Sequence, residues 1–561
     1  MKRLTVILLA LLSASWALRG ASPVERVYIA TDRTAYIAGD ALWCSLFCLD
    51  GNGRLSPQSA VAYVELVSTD GTAAEAKIGL LEGRGAGSFR IPVTTPTGTY
   101  RLIAYTAVNA AEEGTPWMAG SRLVSVYNTT STARVSGGVD LLDAAKYEAL
   151  ERPSEEKFGE LSLSTNVRPR RNATSTLSIR NMGPDASVSL SIYHDDDLAV
   201  PAQGNSPASF LKALPTTVTL RPGADGTPET DGEVITARVR GTVAESPDNP
   251  SIAYLSSAGS PSNLYIGRSL GDGVIRFYTA NIYGDREIVC EVSLLDRKEG
   301  YIEFEYPFIH PDLDNLPSLP LSKSVQGDLT ARKAALRSEK ELRIDTLAAF
   351  MTHREDLLLE SNPLKRYHLD DYNRFPSIRE TLIEFVYELR LHKDRSGTWQ
   401  LQLIQNDAVS SRRDRTENIL VMMDGVVLND LTPLVDFDAM LIDDIDIYSS
   451  TFACGEVVYR GLVNFVTKKN YVTALTFPAN VRVVDFSGVR YPVAYNGAVP
   501  GGTATDLRQL LYWHPVLDLD SGGEYRIEFH TPGYSGRFRV VAEGFTADGA
   551  PLRQEFAFEV E

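Results

Sequence analysis

Apolar and polar residues alternate in short runs along most of the chain, with Gly, Pro and Asp clusters between them, the pattern of half-buried strands and turns. Runs at 27–30, 41–49, 61–68, 87–93 and 99–106 predict a β-sandwich over 23–128. Residues 129–158 are charged and predict a linker with a single helical turn. Alternation resumes at 161–164, 175–179 and 188–192, each with one apolar face, predicting a second sandwich over 159–225. A Gly/Pro/Asp-rich loop at 221–232 leads into a third, 226–312, ending in the strand 301–306. Past Pro320 the period changes. Leu329, Leu336, Ile344 and Leu347 interleave with charge, which predicts one or two helices. A further helix is expected over 378–389, with Ser377 and Glu380 spaced as a capping box. Strands return over 399–470, so 313–475 reads as α+β, and 476–561 as a last sandwich. The predicted fold class is mainly β: a string of β-sandwich domains around one α+β unit.

Composition narrows the class of protein. With 561 residues, 43% apolar and 23% charged, the chain is long enough for three to five domains of ordinary size. Its net charge of −17 argues against nucleic acid or an anionic bilayer as partner, since both reward Lys and Arg. Met1-Lys2-Arg3, the apolar run 4–12 and the small residues 13–17 form a secretory signal peptide, expected over 1–22. No Cys lies near the expected cleavage region, so no lipid anchor is expected, and no later stretch has membrane-spanning length. Cys44 and Cys48 fall on one predicted strand, where residues four apart are separated by about 13 Å. A disulfide needs Cα atoms within about 7 Å, so these two are expected to stay unpaired. With Cys290 and Cys454 they read as buried thiols.

Particular segments carry resemblances. Val27-Tyr-Ile-Ala-Thr-Asp32-Arg33-Thr-Ala-Tyr36-Ile-Ala-Gly39-Asp40, with Gly98-Thr-Tyr100-Arg-Leu-Ile-Ala-Tyr105, resembles the second macroglobulin domain of the alpha-2-macroglobulin family. Val239-Arg-Gly241-Thr-Val243 and Gly271-Asp-Gly273-Val-Ile-Arg-Phe277 resemble a carboxypeptidase-regulatory-like (transthyretin-like) domain; an immunoglobulin-like sandwich fits the same turns. Asn418 to Val427 with its Asp424-Gly425 turn, Leu441 to Tyr448, and Gly461 to Lys469 resemble the plug domain of TonB-dependent outer-membrane receptors. A plugged transporter barrel needs about 22 strands of about ten residues, and the residues after Lys469 read instead as a compact sandwich, so a plug without its barrel is expected. Residues 507–515, 523–529 and 538–544 resemble a later macroglobulin-type domain. Together these imply an exported envelope protein whose domains act as scaffolds and docking surfaces.

Catalytic chemistry finds little footing. Cys454-Gly455-Glu456-Val457 resembles the thioester of complement-type macroglobulins, but Val457 has no carboxamide to acylate the sulfur, so no thioester is expected. His194-Asp195-Asp196-Asp197 lacks the ligand spacing of a calcium loop and reads as a solvated acidic hairpin. No nucleophile elbow, phosphate loop or dinucleotide fingerprint is present. The expectation is therefore a non-enzymatic binding protein of the bacterial envelope, with no catalytic residue, cofactor or metal. Its partners are expected to be envelope or outer-membrane proteins. The alternatives are a glycan or small-molecule binding accessory of a TonB-type importer and an unrecognised hydrolase. The candidate interaction surface is Asp370, Asp371, Tyr372 and Arg374 with Asp443, Asp444 and Asp446; Asp424, Gly425 and Gly461 are the candidate turn residues.

Overall fold

A computed structural model describes residues 24–561 except 154, 166–167, 242–249, 259–262, 271, 281, 294–299, 343–347, 351–362, 407–412, 455–456, 470–474, 479 and 496–504. The expected signal segment 1–22 lies outside the described residues. The chain is mainly β. It divides into two units: Met1–Thr230 with Phe308–His353 and Val489–Glu561, and Asp231–Pro307 with Arg354–Gly488.

In the first unit, strand Glu25–Thr31 pairs antiparallel with Ala41–Asp50, which pairs with Arg84–Arg90. Gly71–Leu81, Val61–Ser68, Gly98–Tyr105 and Arg122–Tyr127 follow on the same path. Inward residues such as Ile29, Leu46, Val64 and Leu102 fill one core. The strand 71–81 was not anticipated: its first half, Thr72 to Glu75, is only half-buried and shows no apolar face. The turn at Asp32 is a buried polar knot. Asp32 Oδ1 accepts from Tyr36 Oη at 2.7 Å and from the Trp43 amide at 3.0 Å, while Arg33 pairs with Asp40 at 3.0 Å. Gly39, at φ +99°, closes the return. Cys44 and Cys48 are free and buried on the 41–50 strand, as is Cys290 in the second unit.

The second core of this unit corrects the expectation of separate sandwiches at 159–225 and 476–561. Strand Ala186–His194 lies between Leu510–Leu519 and Gly536–Thr546, and Thr174–Asn181 pairs with Glu524–His530. One core, with Val188, Leu190, Phe538 and Val540 inside, joins both stretches. Each stretch alone leaves apolar strand faces and open edges, and the other supplies both. The 129–158 linker contains the single turn Ala144–Glu148, capped by Asp143.

In the second unit, Val234–Arg240, Val274–Tyr278 and Tyr301–Phe304 form one sheet. Ile252–Ser257, Asn263–Arg268, Asp285–Ser293 and Val481–Ser487 form another, with Ile235, Leu255 and Phe277 between them. The strand 481–487 thus belongs to this sandwich and not to the C-terminal one. A mixed five-stranded sheet runs Lys365–His368, Ile442–Tyr448, Leu462–Thr467, Leu420–Met423, Val426–Val427. The helix expected over 378–389 spans Ile378–Glu384; the chain then turns and becomes the strand Leu389–Lys393.

Candidate functional site

The residues singled out by the sequence lie across the mixed sheet of the second unit, Asp424 and Gly425 in the hairpin at one edge and Asp370 to Arg374 after the strand 365–368 at the other. Strand 420–423 reverses into 426–427 with both turn residues left-handed, Asp424 at φ +48° and Gly425 at φ +82°, the geometry of a two-residue hairpin. Asp424 turns its carboxylate inward, accepting from the Thr467 amide at 2.7 Å and its hydroxyl at 2.6 Å. Gly461 plays a different part from the one expected. It is not left-handed; a Cβ there would meet Leu403 Cδ2 at 2.5 Å, so the residue permits close packing.

Strand 442–448 sends Ile442, Ile445 and Ile447 into the core. Asp446 is buried under Arg366, which grips it at 2.5 and 2.7 Å. That overturns its assignment to an exposed acidic rim: the neighbouring strand 365–368 covers it. Asp444, half-buried, sits 2.5 Å from His368; burial pushes its carboxyl up against the opposing pull of the imidazole. Asp443 is exposed. Arg374 ties the following segment down, donating to the carbonyls of Ala439 and Ile442 at 2.9 and 2.6 Å and holding Asp370 at 2.5 Å. That hydrogen-bonded guanidinium keeps the Asp370 carboxyl below its ordinary range.

The aromatic residues build a platform. Tyr372 stacks on Phe385 with centroids 4.3 Å apart and planes 2° from parallel, and Tyr367 lies 5.7 Å from Tyr372. Tyr367 Oη donates to Glu388 at 2.5 Å, and Lys365 both covers the Tyr367 ring and pairs with Glu388 at 3.1 Å. From the segments meeting here, Leu364 (61% exposed), Tyr372 (41%), Ile383 (65%) and Tyr387 (76%) project into solvent. Met440 stands beside the Arg374 anchor, half exposed. The same segments expose charges of both signs, Asp371, Glu380, Glu384 and Asp443 beside Arg366, Arg379, Arg390 and Lys468. Exposed apolar side chains among solvated charges are a feature of interfaces. Asp370, Asp371, Tyr372 and Arg374 are thus brought together with Asp443 and Asp444, while Ile383 and Tyr387 were missed.

A charged cavity of about 460 Å³ occupies the first unit. Here the acidic loop after His194 departs from expectation. Asp196 is buried against Arg332 at 2.6 Å, and Asp195 meets Arg539 at 2.8 Å and Arg537 at 2.9 Å. Asp197 alone is solvated. Among the described residues no group of three or more His, Cys, Asp or Glu side chains is placed to hold a metal. Arginine partners from a distant helix and a distant strand convert a charge run into a largely buried network, and nothing local in the sequence marks that.

No protein-family model matches the chain, and no curated protein matches it. Among solved structures, it is similar to Salmonella alpha-2-macroglobulin reacted with methylamine, at 10% identity and a TM-score of 0.23, over 96% of this chain and 40% of that one. Trypsin-activated alpha-2-macroglobulin from Escherichia coli gives 10% identity and a TM-score of 0.22 over 97% and 42%. Dimeric latent PorU from Porphyromonas gingivalis gives 10% and 0.15 over 51% and 33%. The chain spans about two-fifths of the length of the alpha-2-macroglobulin structures it matches. At such TM-scores these likenesses establish neither family nor function.

Proposed function

We propose that this chain is a non-enzymatic docking protein of the bacterial cell envelope, periplasmic or associated with the outer membrane, and that the 365–467 region is a plug-like module that engages an outer-membrane protein. The observation that carries the reading is the exposed group Leu364, Tyr372, Ile383 and Tyr387 on the segments beside the 365–368 strand. Solvent-facing apolar side chains gathered on a well-packed edge lower the free energy of a complex and contribute little to the isolated fold. The basic first residues and apolar run of the N-terminus support export. The exposed aromatic rings beside carboxylates also favour a second reading, a glycan seat, because sugar faces stack on such rings.

The test is crosslinked co-purification from membranes with wild type, Ile383→Ser/Tyr387→Ser and, as control, Leu81→Ser, which alters an exposed apolar residue of the first unit. The expected outcome is a specific crosslinked partner lost only in the double variant, with thermal melts unchanged. Equal recovery by all three proteins would remove the docking reading. Binding to a glycan array that disappears in the double variant would favour the sugar seat.

A further inference from the structure

The cavity of the first unit is bordered by a strap, whose described residues are 149–153 and 155–158 and which follows the helical turn 144–148. Two arginines from different strands meet beneath it. Arg122, at the start of 122–127, and Arg553, on Pro551–Val560, keep only 6% and 3% of their side chains exposed. Both hold Glu543 of the neighbouring strand, at 3.0 and 3.1 Å. Both also hold Glu155 of the strap, at 3.1 and 3.0 Å. Three buried polar atoms of residues lining the same cavity have no hydrogen-bond partner: Arg122 Nε, Thr31 Oγ1 and, on the strap itself, Glu155 Oε2. Buried polar atoms are nearly always matched, so unmet ones on both sides mark the strap's contact as imperfectly hydrogen-bonded.

The strap itself is weakly held. Its backbone is tied at the ends, Leu150 to Tyr147 at 3.1 Å and Phe158 to Arg553 at 2.8 Å. Between those ties, among the described residues, side chains alone fasten it. Arg152 reaches Asp195, Asp197 and the Asp196 carbonyl, Glu155 reaches the two arginines, and Lys157 reaches the Glu555 carbonyl. A segment without backbone hydrogen bonds sits at the low end of local stability.

We propose that this cavity is a binding site for an acidic peptide segment, whose carboxylate replaces Glu155 between Arg122 and Arg553. Simple opening of the strap strips two buried guanidiniums of one of their carboxylates, which is strongly unfavourable. Exchange of one carboxylate for another conserves that balance. Glu155 is then a built-in competitor that sets the affinity of the site. The strap lines the cavity over Leu150–Pro153 and at Glu155, and the volume lies within the usual range of about 300–1,000 Å³ for ligand sites. Exposed Glu148, Glu151 and Asp197 at the mouth repel a dense polyanion, so the ligand is a peptide with isolated carboxylates and not a nucleic acid.

The experiment uses the full chain and a short fluorescent Gly/Ser peptide with one central Glu, compared with the same peptide carrying Gln or Lys. Removing the competitor in Glu155→Gln is expected to tighten binding of the Glu peptide by about tenfold or more. In wild type, saturating Glu peptide is expected to accelerate tryptic cleavage after Lys157, because the strap is displaced. The proposal is overturned if the Glu and Gln peptides bind alike, if Glu155→Gln brings no gain, or if Lys157 cleavage ignores the peptide. None of these residues belongs to the docking surface of the second unit, so either reading can fail alone.

Discussion

Asp443 and Asp446 lie three residues apart on one strand and differ in everything that matters to stability. Asp443 faces water, so Asn at 443 should move stability by no more than about 0.5 kcal/mol. Asp446 is buried and gripped twice by Arg366, so Asp446→Ala should cost about 1–3 kcal/mol. Gly425→Val should cost about as much, because a β-branched residue at φ +82° is strained whatever surrounds it. Urea melts of the three variants check the order; a stable Gly425→Val would show that the hairpin tip yields. The Asp-Gly turn was legible in the sequence because its requirement is local: two left-handed residues between short apolar strands. The burial of Asp446 and Asp196 was not legible. Arg332, which neutralises Asp196, is 136 residues away in the chain.

At the scale of elements, the N-terminal hairpin and the helix Gln326–Glu341 share a charged junction around Arg33. Burial raises Asp32 to about 6, against the pull of Arg33 and the hydrogen bond from Tyr36; its Oδ2 accepts no hydrogen bond. Burial likewise raises Glu339 to about 7, opposed by Arg33. The sign follows from proton linkage. Each folded-state pKa lies above its unfolded value of about 4, so in the window between them the native state binds more protons than the unfolded chain. This contribution to stability is present at low pH and is lost as pH rises through 6 to 7. Burial of His194, His514 and His530 lowers their pKa values and acts in the opposite direction below the ordinary histidine range. Comparison by variant therefore isolates the carboxylate. Glu339→Gln should melt with wild type at pH 5 and above it at pH 8; a variant that melts lower at pH 8 would show that ionised Glu339 is stabilising. The helix over 378–384 was foreseen, its end was not. Ile378, Leu382, Val386 and Leu389 are all buried at helical spacing, yet the last two are delivered by a turn and a strand. Periodicity reports burial and cannot tell these routes apart.

For the whole molecule, the mainly β class was readable from alternation, whereas the partnering of strands was not. A strand's apolar face says that it packs, not with which of some thirty others it pairs. The stretch 476–561 alternates as well as any independent sandwich, yet its strands 510–519 and 536–546 are held apart by 186–194. A fragment comprising 476–561 alone should consequently show no cooperative thermal transition, and adding a fragment comprising 159–225 should restore one; a cooperative melt of the isolated piece would contradict this. The same insertion has a consequence in time. Roughly three hundred residues separate His194 from Leu510, and a ribosome adds about 5–20 residues per second. The 186–194 strand therefore waits on the order of 15–60 s with both long edges bare, a strip of Val188, Leu190 and Ile192 open to any holding chaperone. A nascent chain of this topology cannot close its second core until the strands 510–519 and 536–546 are made.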